Sequence, residues 1–307
     1  MIRSPARRLL GSPIGIGTAR GAEDDQTDDR MHTVLLNALR RGVTVLDTAG
    51  NYRRGRSERV VGKAVRQACA EGIVRRGDVT VISKGGFLRP AGGAVEAPPP
   101  PEPHRPVDHC LAPCCLRHQL DLSLRTLCIG SLNLYLLHNP ETQRGGRSQA
   151  EFDRLLLDAF SLLEQAVADG EIEAYGIATW QPTSGAEDVL QIARCKALAT
   201  QAAPGNDNFR VVEAPLSLAN QSALAPAHEI AGGRMSLPNL CSELGLEFIA
   251  SAAAGGGSPA ALAGASVRWV ASIPAVTTAL FGTLDCNHLD EIVEPSQRRI
   301  APDERIS

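Results

Sequence analysis

Four residues in the first half of the chain carry acid–base chemistry at, or just past, the ends of short apolar runs: Asp47 and Tyr52 in "VTVLDTAGNY", Lys84 in "VTVISKGGF" and His138 in "LNLYLLHNPE". A free tyrosine gives up its proton near pH ~10, and a neighbouring ammonium favours the phenolate. A carboxylate beside the lysine would fix that ammonium in place, and a histidine can orient a substrate oxygen or relay a proton. Together the four describe a site that protonates or deprotonates an oxygen on a carbonyl or an alcohol. Singly each has a plainer reading. An aspartate closing a strand commonly leads into a helix, and a histidine after a strand is commonly a hydrogen-bonded structural group. Convergence is therefore the point at issue.

The elements that must bring them together are legible as alternation. Apolar runs at 13–17, 43–47, 79–83, 132–137, 173–178, 210–214, 246–250 and 278–282 read as strands. Stretches at 28–41, 57–71, 113–127, 150–170, 184–197, 235–244, 259–271 and 286–294 read as helices, the clearest being 150–170, with apolar positions three and four apart and a stop at glycine. Near-continuous apolar strands imply a parallel sheet buried on both faces. Eight βα units in 307 residues suit a single (β/α)8 TIM barrel over 1–307, with the active site at the C-terminal ends of the strands. The alternative, a doubly wound open sheet, usually shows a glycine-rich fingerprint after its first strand, and "GIGTARG" matches it only loosely. A Pro/Gly-rich insertion, 85–108, follows the third strand, on the active-site face, where it is expected to act as a lid.

The balance of 31 basic and 34 acidic residues gives a net charge of −3, with no basic footprint for nucleic acid. No apolar stretch approaches a membrane span, and the opening residues lack the sustained apolar core of a signal peptide. Eight cysteines in a chain of this length read as reduced thiols, consistent with a cytoplasmic protein. "HRPVDHCLAPCCLRHQ" gathers His104, His109, Cys110, Cys114, Cys115 and His118, but lacks the paired C-x2-C knuckles of a zinc site, so no metal is expected. The acidic stretch 21–30 reads as a solvated loop before the first helix. Trp269 reads as core, and Trp180, at a strand end, as lining for a substrate pocket.

In order, the motifs "LDTAGNY", "GRSERVVGKAV", "ISKGG", "LYLLHNPE", "YGIATW" and "IPAVTTALFGT" resemble those of the aldo-keto reductase superfamily over nearly the whole chain. The resemblance implies a (β/α)8 barrel that reduces an aldehyde or ketone with NADPH or NADH, its partner being a small carbonyl substrate. It makes Tyr52 the proton donor, Lys84 and Asp47 the groups that lower its pKa, and His138 the group that orients the carbonyl. It assigns Thr18, Thr179, Glu213, Ser251, Gly255, Gly257, Gly282, Thr283 and His288 to the cofactor. Several of these depart from the family pattern. Ala178-Thr179 replaces Ser-Asn, and Glu213 replaces a glutamine. Small residues stand where most members stack an aromatic on the nicotinamide. Past the eighth strand Thr283, Asp285 and His288 occur without the usual lysine or arginine for a 2'-phosphate. Those departures leave open a non-redox enzyme (lyase, dehydratase or cyclase) built on the same four residues, or a binding subunit.

Overall fold

The computed structural model describes residues 9–89, 108–181, 190–230, 233–256 and 260–297. The strands, in chain order, are β1 (Ile14–Gly17), β2 (Val45–Asp47), β3 (Thr80–Gly85), β4 (Leu132–His138), β5 (Ile172–Ala178), β6 (Phe209–Pro215), β7 (His228–Ile230), β8 (Gly233–Met235), β9 (Glu247–Ser251) and β10 (Thr278–Phe281). The helices are α1 (Asp25–Arg40), α2 (Arg56–Ala70), α3 (Pro113–Leu127), α4 (Gln149–Ala168), α5 (Ile192–Ala202), α6 (Leu237–Glu243), α7 (Ala260–Ser272) and α8 (Cys286–Gln297). Eight strands close into one parallel barrel in the order β1-β10-β9-β6-β5-β4-β3-β2, and β7 and β8 form a separate antiparallel hairpin. The fold is the (β/α)8 barrel. Among the described residues no helix is long and apolar enough to cross a membrane.

Side chains alternate across a strand with a period of two. One set, including Val45, Ile82, Leu134, Leu136, Val211, Ile249 and Leu280, fills the barrel interior as a single buried cluster. The alternate set, including Leu46, Val81, Tyr135, Val212, Phe248 and Phe281, packs outward under the helices. The same parity places Asp47, Lys84, His138, Glu213 and Ser251 one step above the interior layer, each two residues past an inward apolar one. Leu10 joins the interior cluster from the opposite end, where the Leu9 carbonyl accepts from Thr80 Oγ1 at 2.7 Å.

Three elements differ from the sequence reading. Helix α1 begins at Asp25, inside the stretch expected to be a solvated loop, because Asp24 caps it by accepting from Thr27 N at 2.7 Å and Asp25 and Asp28 sit favourably in its first turn. Helix α5 runs to Ala202 rather than stopping at 197, since its buried stripe of Ile192, Cys195 and Ala199 continues until Pro204 and Gly205. The hairpin was not anticipated, because its three-residue strands are too short for a period of two to register. The expected helix residues 184–189 lie outside the described residues, as does the part of the proposed lid at 90–107. The ends of that insertion are pinned together, with Leu88 N donating to Asp108 O and Cys110 N to Gly86 O, each at 2.8 Å.

Helices α2 and α3 approach closely at Gly62, where a Cβ would collide with the main-chain carbonyl of Leu127. Gly62→Ala should therefore destabilise the protein by roughly 1–3 kcal/mol through overpacking, although alanine is the better helix former by about 1 kcal/mol. Chemical denaturation of both proteins measures this. An unchanged or raised midpoint would show that the two helices separate freely.

Candidate active site

Tyr52 opens a short 3-10 turn, Tyr52–Gly55, in which Arg53 (φ 48), Arg54 (φ 53) and Gly55 (φ 82) are all left-handed. That conformation costs a non-glycine residue roughly 1–2 kcal/mol. The buried Arg53 guanidinium offsets it by donating to Ala22 O at 2.8 Å, Asp24 O at 3.3 Å and Asp28 Oδ1 at 2.7 Å. The acidic stretch at the start of α1 is thus the socket that positions the Tyr52 loop. On its other side Glu58, fully buried in α2, accepts from Ser83 Oγ at 2.7 Å and pairs with Arg89, which also donates to Gly50 O at 3.0 Å.

The fully buried Lys84 lies at the centre of the barrel mouth. Its Nζ pairs with the Asp47 carboxylate, donates to Thr48 O at 3.3 Å, stands 3.5 Å from Glu213 Oε2, and lies 5.2 Å from the Tyr52 ring centroid. The His138 ring meets that of Tyr52 edge-on, with centroids 5.6 Å apart. Behind His138, His109 Nε2 donates to the His138 carbonyl at 2.7 Å while its Nδ1 accepts from Gln143 Nε2 at 2.9 Å, which defines the His109 tautomer. Phe87 stacks edge-on against both histidines.

Burial and charge set the protonation of this cluster. Burial alone would lower the Lys84 pKa, but Asp47 and Glu213 outweigh it and hold the ammonium charged. Burial raises Tyr52 above its ordinary value; Lys84 opposes this, while Asp47 and Glu213 add to it, so the phenol keeps its proton. The net direction is the reverse of the expected lowering, because a buried phenolate loses hydration that one lysine shared among three acids does not restore. Burial, then Lys84 and His109, hold His138 well below its usual range, so its imidazole is neutral. Burial raises both carboxyls against the pull of Lys84. Asp47 is in direct contact with the ammonium, and the more distant Glu213 is pushed up to about 8.

A cavity of about 340 Å³ opens from Asp47, Tyr52 and Glu213 and runs past Ser251, Gly256, Gly282 and Thr283 to His288 and Glu291 on α8. Arg20, just after β1, lines its far part, its guanidinium against Gly256.

The family model for "Aldo/keto reductase family" matches residues 13–203, more than half of the chain. The protein belongs to the aldo/keto reductase family. The NADH-specific methylglyoxal reductase of Escherichia coli (strain K12) is 25% identical over 146 residues, a stretch covering 47% of this chain and 39% of that protein. The chain thus matches well under half of that relative's length. Among solved structures, an aldo/keto reductase from Klebsiella pneumoniae in complex with NADP and acetate is similar with a TM-score of 0.63, at 20% identity, over 95% of this chain and 88% of that one. The holo form of an aldo-keto reductase from Bacillus halodurans gives a TM-score of 0.65 at 16% identity, over 94% and 90% of the two chains.

For this aldo/keto reductase, the residues expected to hold the cofactor divide in two. Glu213, Ser251, Gly282, Thr283 and His288 line the cavity, as does Trp180, which stands 59% exposed on its rim. Thr18 and Thr179 do not. The Thr18 hydroxyl donates to Asp47 O at 2.9 Å, and that of Thr179 donates to Glu141 Oε1 at 2.7 Å, so both brace main chain or loop. The Gly255 N–H is taken by Ala252 O at 2.9 Å. Gly257, like His104 of the Cys/His segment, lies outside the described residues. Among the described residues no group of three His, Cys, Asp or Glu side chains forms a metal site. Asp285 accepts from Asn287 N at 2.8 Å at the start of α8 and is not part of the cavity wall. Sequence reasoning missed Arg20, Glu291 and Glu141. Only Arg20 carried a signal, as a cation three residues past a strand end.

Glu213 makes stability depend on pH. The folded carboxyl keeps its proton up to about pH 8, whereas the unfolded one releases it near ~4.3. Between those values the folded state binds more protons, so the contribution is complete below the unfolded pKa and lost as pH rises through the folded one. Thermal melts from about pH 5 to 8.5 should show the wild type losing more stability than Glu213→Gln. Parallel curves would mean that Glu213 is ionised throughout.

Proposed function

We propose that this protein reduces an aldehyde or ketone to the alcohol at the expense of a nicotinamide dinucleotide, with Tyr52 as the proton donor. The observation that carries the reading is the meeting of Lys84 and His138 with Tyr52 and Asp47, the latter two lining a cavity that also holds Arg20, Thr283 and His288. The cavity residues suit such a cofactor. An unsatisfied buried carboxyl oxygen on Glu213 faces the reactive end, and a guanidinium lies where phosphates would pass. When bound, the nicotinamide supplies the hydride that the carbonyl carbon accepts. Tyr52 gives its phenolic proton to the carbonyl oxygen. The phenolate left behind is stabilised by Lys84, which Asp47 holds in place, and it regains a proton from solvent. His138, neutral, presents a ring N–H that orients the same oxygen. Trp180 borders the entrance to the substrate side.

At the far end Glu291 shares the wall with Thr283 and His288. A carboxylate there repels a 2'-phosphate and suits a ribose hydroxyl, so NADH is the preferred donor in this reading. The NADH-specific name of the Escherichia coli relative points the same way. A second reading, non-redox acid–base catalysis on a carbonyl compound, draws on Glu213, which adds a second protonated acid beside Tyr52.

Initial rates with NADH or NADPH and a panel of small aldehydes and 2-oxoaldehydes test both readings. Tyr52→Phe should fold normally and lose roughly 10²–10⁴ in kcat, the usual cost of a lost general acid. Lys84→Met should lose a similar factor, and the double variant little more, since both act through one proton transfer. Turnover that needs no nicotinamide and disappears in Tyr52→Phe would replace the first reading by the second. Full activity in Tyr52→Phe would remove both.

A further inference from the structure

We propose that Glu213 is the group by which this cavity tells the oxidised, positively charged nicotinamide from the reduced, neutral one, giving up its carboxyl proton when the oxidised form binds. The inference rests on the nicotinamide reading above and concerns a step that reading leaves open. Glu213 lies near the end of β6, and its parity in the strand aims it into the mouth. It borders the cavity in the part that also holds Tyr52 and Asp47, where the reacting ring must lie for Tyr52 to act on its partner carbonyl. Its carboxyl is buried, and Oε2, 3.5 Å from Lys84 Nζ, has no well-formed hydrogen bond.

The charges facing it are few. Among the described residues Lys84 on β3 is the cation paired with it, and that ammonium is already in direct contact with Asp47 on β2. Tyr52, in the loop after β2, is a neutral phenol, and His138 on β4 is a neutral imidazole. The register neighbours of Glu213 on β5 and β9, Ala178 and Ile249, carry no charge. One ammonium thus serves two buried carboxyls, and the second keeps its proton up to about pH 8. A nicotinamide cation supplies the charge that is missing. The O–H bond of Glu213 breaks, the proton leaves to solvent, and carboxylate and cation remain paired in the cavity; no electrons are transferred. The reduced ring, with no charge, leaves the proton where it is. The oxidised cofactor therefore binds more tightly as pH rises, which shifts the site toward alcohol oxidation in alkaline conditions.

Calorimetric titration of the wild type with NAD+ and with NADH, at pH 7 in buffers of different ionisation enthalpy, counts the protons released on binding. NAD+ should release close to one proton and NADH essentially none, and the NAD+ release should fade above about pH 8. Below that pH the Kd for NAD+ should weaken by up to ~tenfold per pH unit, with the Kd for NADH flat. Glu213→Gln should abolish both effects, and Tyr52→Phe should keep them, since the proton does not come from the phenol. Release that persists in Glu213→Gln, release that vanishes in Tyr52→Phe, or equal release with both nucleotides would overturn the inference while leaving the reductase reading intact. Failure of the folded wild type to bind any of NAD+, NADH, NADP+ and NADPH would overturn the reductase reading itself, and this inference with it.

Discussion

A buried ammonium persists only where carboxylates surround it, because the energy of removing it from water is large and has to be returned by close pairing. Lys84 is that ammonium here, and the geometry of the mouth follows from satisfying it. Asp47 reaches it from the adjacent strand β2. Glu213 reaches it from β6, which in the strand order is three places away from β3. In a flat open sheet, three strand spacings of about 4.8 Å would hold those residues roughly 14 Å apart. Closure of the barrel turns the inward faces of β3 and β6 toward one axis, so that the side-chain tips meet, with Lys84 Nζ 3.5 Å from Glu213 Oε2. The ion cluster and the closed topology are therefore one constraint seen at two scales.

Tyr52 depends on a different device. It comes from a loop, and loops are mobile unless held. Two arginines hold this one from either side, the buried Arg53 against the first turn of α1 and the partly buried Arg89 against Glu58 and Gly50. The left-handed backbone at Arg53 and Arg54 is tolerated because the guanidinium of Arg53 has more partners than the strain requires. For the proposed role of Tyr52 as proton donor, the rigidity matters chemically. A general acid contributes only within hydrogen-bond reach of the atom it protonates, so a loop that wandered by an ångström or two would forfeit much of its effect.

The cofactor half of the cavity shows how family membership constrains one end of a site and leaves the other free. At the reactive end Asp47, Tyr52, Lys84 and His138 come together, the four residues on which the sequence resemblance rests. Toward α8, the wall combines Arg20, Thr283, His288 and Glu291, of which only Thr283 and His288 were expected from the sequence. At Glu213 a carboxyl stands where the sequence resemblance implies a glutamine, and its surroundings keep the proton on it. A protonated carboxyl has one donor and one acceptor face, as the amide does. The same substitution introduces a titratable group where an amide would carry none.

The sequence by itself favoured a closed (β/α)8 barrel over an open sheet, closure itself being a tertiary fact, and it determined the alternation of strands and helices and the residues at the strand ends. These are properties of local periodicity: an apolar run of four or five residues, an apolar stripe at three and four, a polar residue where the run stops. Asp47, Lys84 and His138 were legible for that reason, and Tyr52 because it stands so close behind Asp47. Tertiary structure alone decided the rest. Whether Thr18 and Thr179 face the cavity depends on which way a hydroxyl turns, and both turn to bonds within the protein. That 21–30 forms a socket for Arg53 rather than a solvated loop depends on a residue some 25 positions away. The direction of the Tyr52 pKa shift depends on the balance of burial against one shared ammonium, and Arg20 meets the cavity wall at Gly256, in the loop after β9, two strands around the barrel from β1. Charge balance and hydrogen-bond direction are set by groups distant in the chain and near in space, and a periodicity carries no record of them.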